Sequence, residues 1–312
     1  RGAQRYLVVS LLAVPLLLAA AWLMNPAHST PQDAETIRRV LLPAALGFGL
    51  LLGAFPFGTW MPALAAETLP AITAFIFTAG QAMALYLTLT FLHANPLILS
   101  DGVTPAVIQI AGLVMAVAGG IMAAVQRDFG RLFGYAAMSD MGVLLLALVA
   151  MGSQGVTLVL LHVVGRSVSI TLIAAGLSIL RHRAATDSFA DLGGVARRLP
   201  VATIGLALGI LALAGFPLTA GFPIHWAVYR AMSGEEMVWT LLLVASSVGI
   251  VIGLLRGLNA MLGVEPRDEI DRQPLLASLF VLALAVLVII LGVTPQLLLE
   301  PVSTSAQAFA LF

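Results

Sequence analysis

Ionisable side chains are rare inside the long apolar stretches of this sequence, and those present are Asp140, His162, Arg166, His225 and Arg230. His162 and Arg166 lie four residues apart, which puts them on one face of a helix. If Asp140 faces them, a carboxylate, an imidazole and a guanidinium meet in one polar spot. Such a spot supports two kinds of chemistry. Histidine changes charge near neutral pH and can relay a proton; a guanidinium and a carboxylate can instead form a standing ion pair that locks two helices. Asp140 and Arg166 read as the pair and His225 as the relay, with His162 a second relay candidate. All 15 basic residues are arginine, and no lysine occurs. Arginine keeps its proton where a buried lysine can release one, so any relay must run on His, Asp or Glu.

His225 closes the stretch L-A-L-A-G-F-P-L-T-A-G-F-P-I-H-W, residues 211–226. Gly215, Pro217, Gly221 and Pro223 interrupt what would otherwise be one apolar helix, since proline removes an amide donor and glycine weakens the turn. The interruption reads either as a kink or as an unwound segment, and the latter survives at membrane depth only where protein or water satisfies the backbone. A second stretch of similar grammar, A-F-P-F-G from Ala54, carries Gly53, Pro56 and Gly58. Two such segments separated by uninterrupted ones point to internal repeats with a transport path at the breaks. Arg230, Tyr229 and Glu67 read as interfacial residues, where long polar side chains reach water.

The elements that must position these residues follow from composition. Of 312 residues, 60% are hydrophobic and 10% charged, and the mean hydropathy is +1.04. A bilayer-spanning helix needs about 20 mainly apolar residues, and such runs succeed one another along the chain. The expected fold is all-α, a polytopic transmembrane helix bundle of about nine passes: residues 6–24, 40–62, 69–91, 105–125, 132–151, 156–180, 200–232, 238–262 and 275–293. The tail to Phe312 is expected at the surface. One membrane domain, 1–312, is expected to divide into a remnant first repeat (1–100, broken helix 40–62), a second repeat (101–264, broken helix 200–232) and a C-terminal helix with its tail (265–312). Absence of cysteine excludes disulfides and thiolate metal or iron–sulfur sites. No metal and no cofactor is expected, and zero net charge gives no sign of nucleic acid. The chain starts at Arg1 with no recognisable signal peptide, and sequence is expected to be missing before it.

Arginine placement sets an orientation. Arg127, Arg131, the loop from Arg181 to Arg198, Arg256, Arg267 and Arg272 share a side with Arg1 and Arg5, while Arg38, Arg39 and Arg230 fall opposite. The positive-inside rule puts the first group in the cytoplasm, and a bacterial inner (cytoplasmic) membrane is the expected location.

Four stretches in sequence order resemble the antiporter-like membrane subunits shared by respiratory complex I, membrane-bound hydrogenases and multisubunit Na⁺/H⁺ antiporters. P-F-G-T-W-M-P (56–62) is similar to P-F-H-x-W-L-P. R-D-F-G-R-L-F-G-Y-A-A-M-S-D-M-G (127–142) is similar to D-L-K-R-L-L-A-Y-S-S-I-S-H-M-G. D-L-G-G-V-A-R-R-L-P precedes the second break, and L-A-G-F-P-L-T-A-G-F resembles L-A-G-I-P-P-L-A-G-F. The resemblance implies inverted repeats, each with a discontinuous helix, the first incomplete here, and a hydrated mid-membrane axis of lysine, histidine and glutamate. Most of that axis has no titratable counterpart. The family's lysine before the first break falls on Leu51, the P-F-H histidine on Gly58, the D-L-K-R lysine on Gly130, and the histidine and lysine of H-A-x-x-K on Val164 and Val168. The S-H-M-G histidine falls on Asp140, and the last relay position on His225.

The resemblance implies an antiporter-like subunit of a larger membrane complex, contributing to proton or cation translocation coupled to a redox or transport partner. Its expected partners are other membrane subunits and the lipid bilayer. Two alternatives stand beside it: a degenerate subunit with a structural or partner-binding role and no transport, and an accessory membrane subunit in inorganic-carbon uptake. No nucleophile or nucleotide constellation marks the chain as a catalyst alone, so any enzymatic role would be as a membrane subunit of an NADH:quinone oxidoreductase-like complex.

Overall fold

The computed structural model describes residues 2–24, 34–100, 102–150, 153–235, 237–263 and 273–307. Arg1, Arg267, Arg272 and most of the polar loop after the first pass lie outside the described residues. Among the described residues the chain is helical almost throughout, and a single isolated antiparallel bridge, Asp128 with Ser188, is the nearest thing to a strand. The helices are α1 (Gly2–Leu23), α2 (Ala34–Leu52), α3 (Trp60–Glu67), α4 (Pro70–Ala94), α5 (Val103–Ala124), α6 (Phe129–Ala150), α7 (Ser153–Ala184), α8 (Pro200–Leu213), α9 (Phe222–Glu235), α10 (Met237–Met261), α11 (Leu275–Val293) and α12 (Gln296–Gln307).

In hydrocarbon no water is available to the peptide groups, so each spanning segment must bond its own backbone. The described residues contain 8 stretches long and apolar enough to cross a bilayer, with α2 and α3 forming one of them, and a shorter apolar helix, α8. The expected nine passes are recovered when α8 and α9 are the two halves of one interrupted crossing.

Burial identifies the centre. In α6, 89% of the spanning stretch is buried, against 11% in α1. α6 is apolar on all sides because α3, α5, α7 and α9 surround it. Its closest neighbour is α5, where small residues replace bulk: a side chain on Gly112 would strike the Gly142 carbonyl, and one on Gly119 would strike Ser139. Backbones approach this closely in membranes only at such residues. Asp140 therefore sits on the innermost helix, with no exposed surface.

The described part of the tail, α12, lies at the surface of the bundle with most of its residues exposed, packs one face against α7 and buries Ala306. Its inward residues Leu298, Val302 and Ala306 recur every four positions, the spacing of one helical face. Within the third pass, Ile76–Gly80 forms a π turn in α4.

Candidate functional site

The two interruptions are true helix ends. Gly53 (φ 80) and Gly215 (φ 70) each occupy the left-handed position after a helix, a conformation that glycine adopts without a side-chain penalty. The amide of Ala54 reaches back to the Gly49 carbonyl at 2.7 Å, and that of Phe216 to the Leu211 carbonyl at 3.0 Å. Each is the six-to-one bond of a Schellman cap, and at the second break Gly215 adds the accompanying bond to Ala212 at 3.1 Å. A proline soon afterwards prevents the helix from resuming. The returning halves rest on glycine as well. A side chain on Gly58 would collide with the Gly53 carbonyl, and one on Gly221 with the Ala212 carbonyl.

Between the breaks lies a buried ionic cluster. Asp140 accepts from Arg166 Nε at 2.7 Å through Oδ2 and from His162 Nε2 at 2.8 Å through Oδ1. A carboxylate paired with a permanent cation can only accept, which places the His162 ring proton on Nε2. Arg166 then donates through Nη1 to the Phe77 carbonyl at 2.7 Å, and through Nη2 to Gln81 Oε1 at 2.8 Å and the Ala137 carbonyl at 3.0 Å. Most of the guanidinium's five donors are thereby used. The His225 ring stands 6.2 Å from that of His162, centroid to centroid, at 67°. It is fixed by a 3.0 Å bond between Nδ1 and the Gly221 carbonyl, in which the nitrogen donates. Asp140, His162, Arg166 and His225 are each at most 4% exposed.

The sequence-derived site residues thus assemble, together with several partners that carry no sequence signal of their own. Gln81 is one, because a lone glutamine in an apolar run has no charge to mark it. The Phe77 carbonyl is available because of the π turn: Gln81 N–H, its ordinary helical partner, donates to the Ile76 and Thr78 carbonyls instead. The only sequence sign is T-A-G-Q, a small-residue stretch in an otherwise bulky helix. Tyr229 is corrected. Its side chain does not reach out to water but lies between His225, 6.0 Å away ring to ring, and Ser247, whose Oγ is 2.7 Å from its hydroxyl. Arg230 and Glu67 are exposed.

The positions without titratable side chains are informative in the same way. Leu51 packs half-buried against the core, and Gly58 is buried in the first break. Val164 is 39% exposed, on the outer face of α7, whereas His162 and Arg166 face inward. Those two keep the four-residue spacing of H-A-x-x-K two positions earlier, about 200° around the helix. Val168 is partly buried against the core. At Gly130 a side chain would run into the Arg181 guanidinium. Arg181 fills that space, pairing with Asp187 at 2.7 Å and donating to the Ala65 and Thr68 carbonyls at 2.8 and 2.9 Å. A cation is therefore retained beside Gly130, delivered by α7.

A helical bundle with two capped half-helix breaks around a buried carboxylate, guanidinium and histidine pair defines a class of polytopic membrane protein with an ionic cluster in its interior. Residues 2–253 match the family described as "NADH:quinone oxidoreductase/Mrp antiporter, TM", and the chain belongs to that family. The NADH-quinone oxidoreductase subunit N of Dehalococcoides mccartyi is 28% identical over 277 residues, covering 84% of this chain and 56% of the relative. Formate hydrogenlyase subunit 3 of Escherichia coli is 27% identical over 93% of this chain and 53% of its own length. The chain thus spans about half the length of these curated relatives. Among solved structures, a chain of the Mrp complex from Dietzia sp. DQ12-45-1b superposes with a TM-score of 0.87 over 99% of this chain and 68% of that one, at 17% identity.

Proposed function

We propose that the chain is an antiporter-like subunit of a larger membrane complex and contributes to moving protons or cations across the bilayer. The observation that carries this reading is the juxtaposition of Asp140, His162 and His225 inside the bundle, with His225 seated on the second break. A buried polar cluster of this kind is costly in a membrane and marks a functional path. Arg166 holds its charge, so it serves as the fixed counter-ion of Asp140, standing in for the family's lysine of H-A-x-x-K. The two histidines are the groups that can gain and lose a proton. Other membrane subunits are the proposed partners, and a bacterial inner membrane the proposed location, with Arg127 and the segment from Arg181 to Arg198 on the cytoplasmic side. The two breaks belong to two repeats, residues 1–100 and 101–264, the first incomplete, followed by 265–312.

A structural role without transport is the second reading, favoured by the apolar residues Leu51 and Val168 where the resemblance places lysines. Proton translocation by the intact assembly in sealed vesicles separates the two. With His225→Leu, translocation falls at least tenfold while the complex still assembles. Undiminished translocation in that variant removes His225 from the path and favours the structural role.

A further inference from the structure

The two nitrogens of His162 face different surroundings. Nε2 donates to Asp140, so Nδ1 carries the free lone pair. That atom is buried and has no hydrogen-bond partner among the described residues. His162 also lines a narrow, partly open cavity with about 10 Å³ of room for water, shared with Gly165 on α7, Ala220 and Pro223 at the second break, and Leu291 and Pro295 at the α11–α12 corner. A volume near 10–15 Å³ holds one water when polar groups surround it. The unwound backbone supplies such a group. Gly165 lets the segment approach so closely that its absent side chain would lie 3.2 Å from the Ala220 carbonyl oxygen. Gly292 of α11 admits the Leu218 and Thr219 carbonyls from the other side.

We propose that this cavity holds a single ordered water, bound between His162 Nδ1 and the Ala220 carbonyl, and that this water is the port through which protons reach and leave His162. The port rests on the translocation reading above. Loading is a simple transfer: a hydronium at the port gives one proton to the Nδ1 lone pair, an N–H bond forms, an O–H bond breaks, and neutral water remains. The resulting imidazolium keeps its Nε2–H on Asp140, whose charge opposes it, while Arg166 and His225 are the other ionisable groups facing the ring. Release reverses the step through the same nitrogen. His162, two positions away from the residue on which the family motif falls, thereby becomes the entry point, and His225 its neighbour inside the bundle.

The test uses the full chain in its assembled complex, with ¹⁵N-labelled histidine in hydrated membranes. Solid-state NMR is expected to find His162 protonated at Nε2, with a cross-peak from water to Nδ1. Ala220→Val, which narrows the cavity from the break, is expected to abolish the cross-peak and reduce vesicle proton translocation at least tenfold. If that variant fails to assemble, Leu298→Phe fills the same space from α12 and carries the same expectation. A pumping wild-type assembly without the cross-peak overturns the port alone, as do filled variants that pump at the wild-type rate. A wild-type assembly that moves no protons overturns the translocation reading, and the port with it, even if the cross-peak is seen.

Discussion

At the first break Gly53 turns the chain at φ 80 and lies against the thioether of Met61, while at the second Gly215 does so at φ 70 and lies against the imidazole of His225. Both use the same cap, the same following proline and a second glycine under the returning half. Four residues past Gly58 stands Pro62, and four past Gly221 stands His225. The cluster reaches the first break through neutral groups, Gln81, whose Nε2 lies 3.4 Å from Met61 Sδ, and Phe77, whose ring packs edge-on against Trp60, and the second through a ring that can titrate. The comparison teaches that backbone architecture and proton chemistry are separable: a helix end needs glycine and proline, whereas a relay needs a particular side chain at one offset.

The largest expected effect strikes the cluster that joins the two breaks. Arg166→Met leaves the Asp140 carboxylate buried without its cation, a change that costs about 3–5 kcal/mol. Thermal unfolding of the purified protein in detergent should show it, together with loss of assembly. Adding Asp140→Asn should return part of the loss, because the unpaired charge is then gone; strictly additive effects would mean that the two side chains act independently. Gln81→Leu probes the link to the first break alone. It removes one acceptor from a charged donor and should cost about 1.5–3 kcal/mol, with less effect on translocation than His225→Leu.

Next come the cap glycines. A non-glycine residue in the left-handed region costs about 1–2 kcal/mol, and Gly53→Ala and Gly215→Ala share that cost. They differ in what the new methyl meets. At Gly53 it meets a flexible thioether that can move aside; at Gly215 it meets the His225 ring, which the Gly221 carbonyl holds in place. Gly215→Ala should therefore be the more damaging, and His225→Ala should recover the difference in the Gly215 background only. Equal melting shifts for the two single variants would refute the claim that Gly215 is there to seat the histidine.

Much of this is legible in the sequence. Apolar runs and Gly/Pro pairs predict the passes and both breaks, because each pattern has a local backbone cause. The i, i+4 spacing of His162 and Arg166 puts them on one face by helical geometry alone. What sequence does not supply is rotation about a helix axis. Laying H-A-x-x-K on the small residues near Ala174 points to Val164, which faces outward, while His162 and Arg166, two residues earlier, face in. Neutral partners are equally hidden. Gln81 and the Phe77 carbonyl enter the cluster through a π turn, which depends on how α4 packs against α7 as much as on its own residues.

The smallest expected difference lies in the unwound segments themselves. Thr219, in the second break, donates its hydroxyl to the Phe216 carbonyl at 2.6 Å while the Phe222 amide bonds to its own carbonyl at 3.0 Å. Thr59, entering the returning half of the first break, makes no such side-chain cap and is exposed. A hydroxyl bond of this kind contributes about 0.5–1.5 kcal/mol, whereas an exposed substitution without a partner stays within about 0.5 kcal/mol. Thr219→Val should lower the melting temperature measurably and Thr59→Val should not. Amide hydrogen exchange makes the distinction local. If the second break is the one held rigid for a relay, Thr219→Val raises exchange at residues 216–222, and Thr59→Val leaves residues 54–60 unchanged. The opposite pattern would mean that the apolar break, and not the titratable one, depends on its side-chain caps.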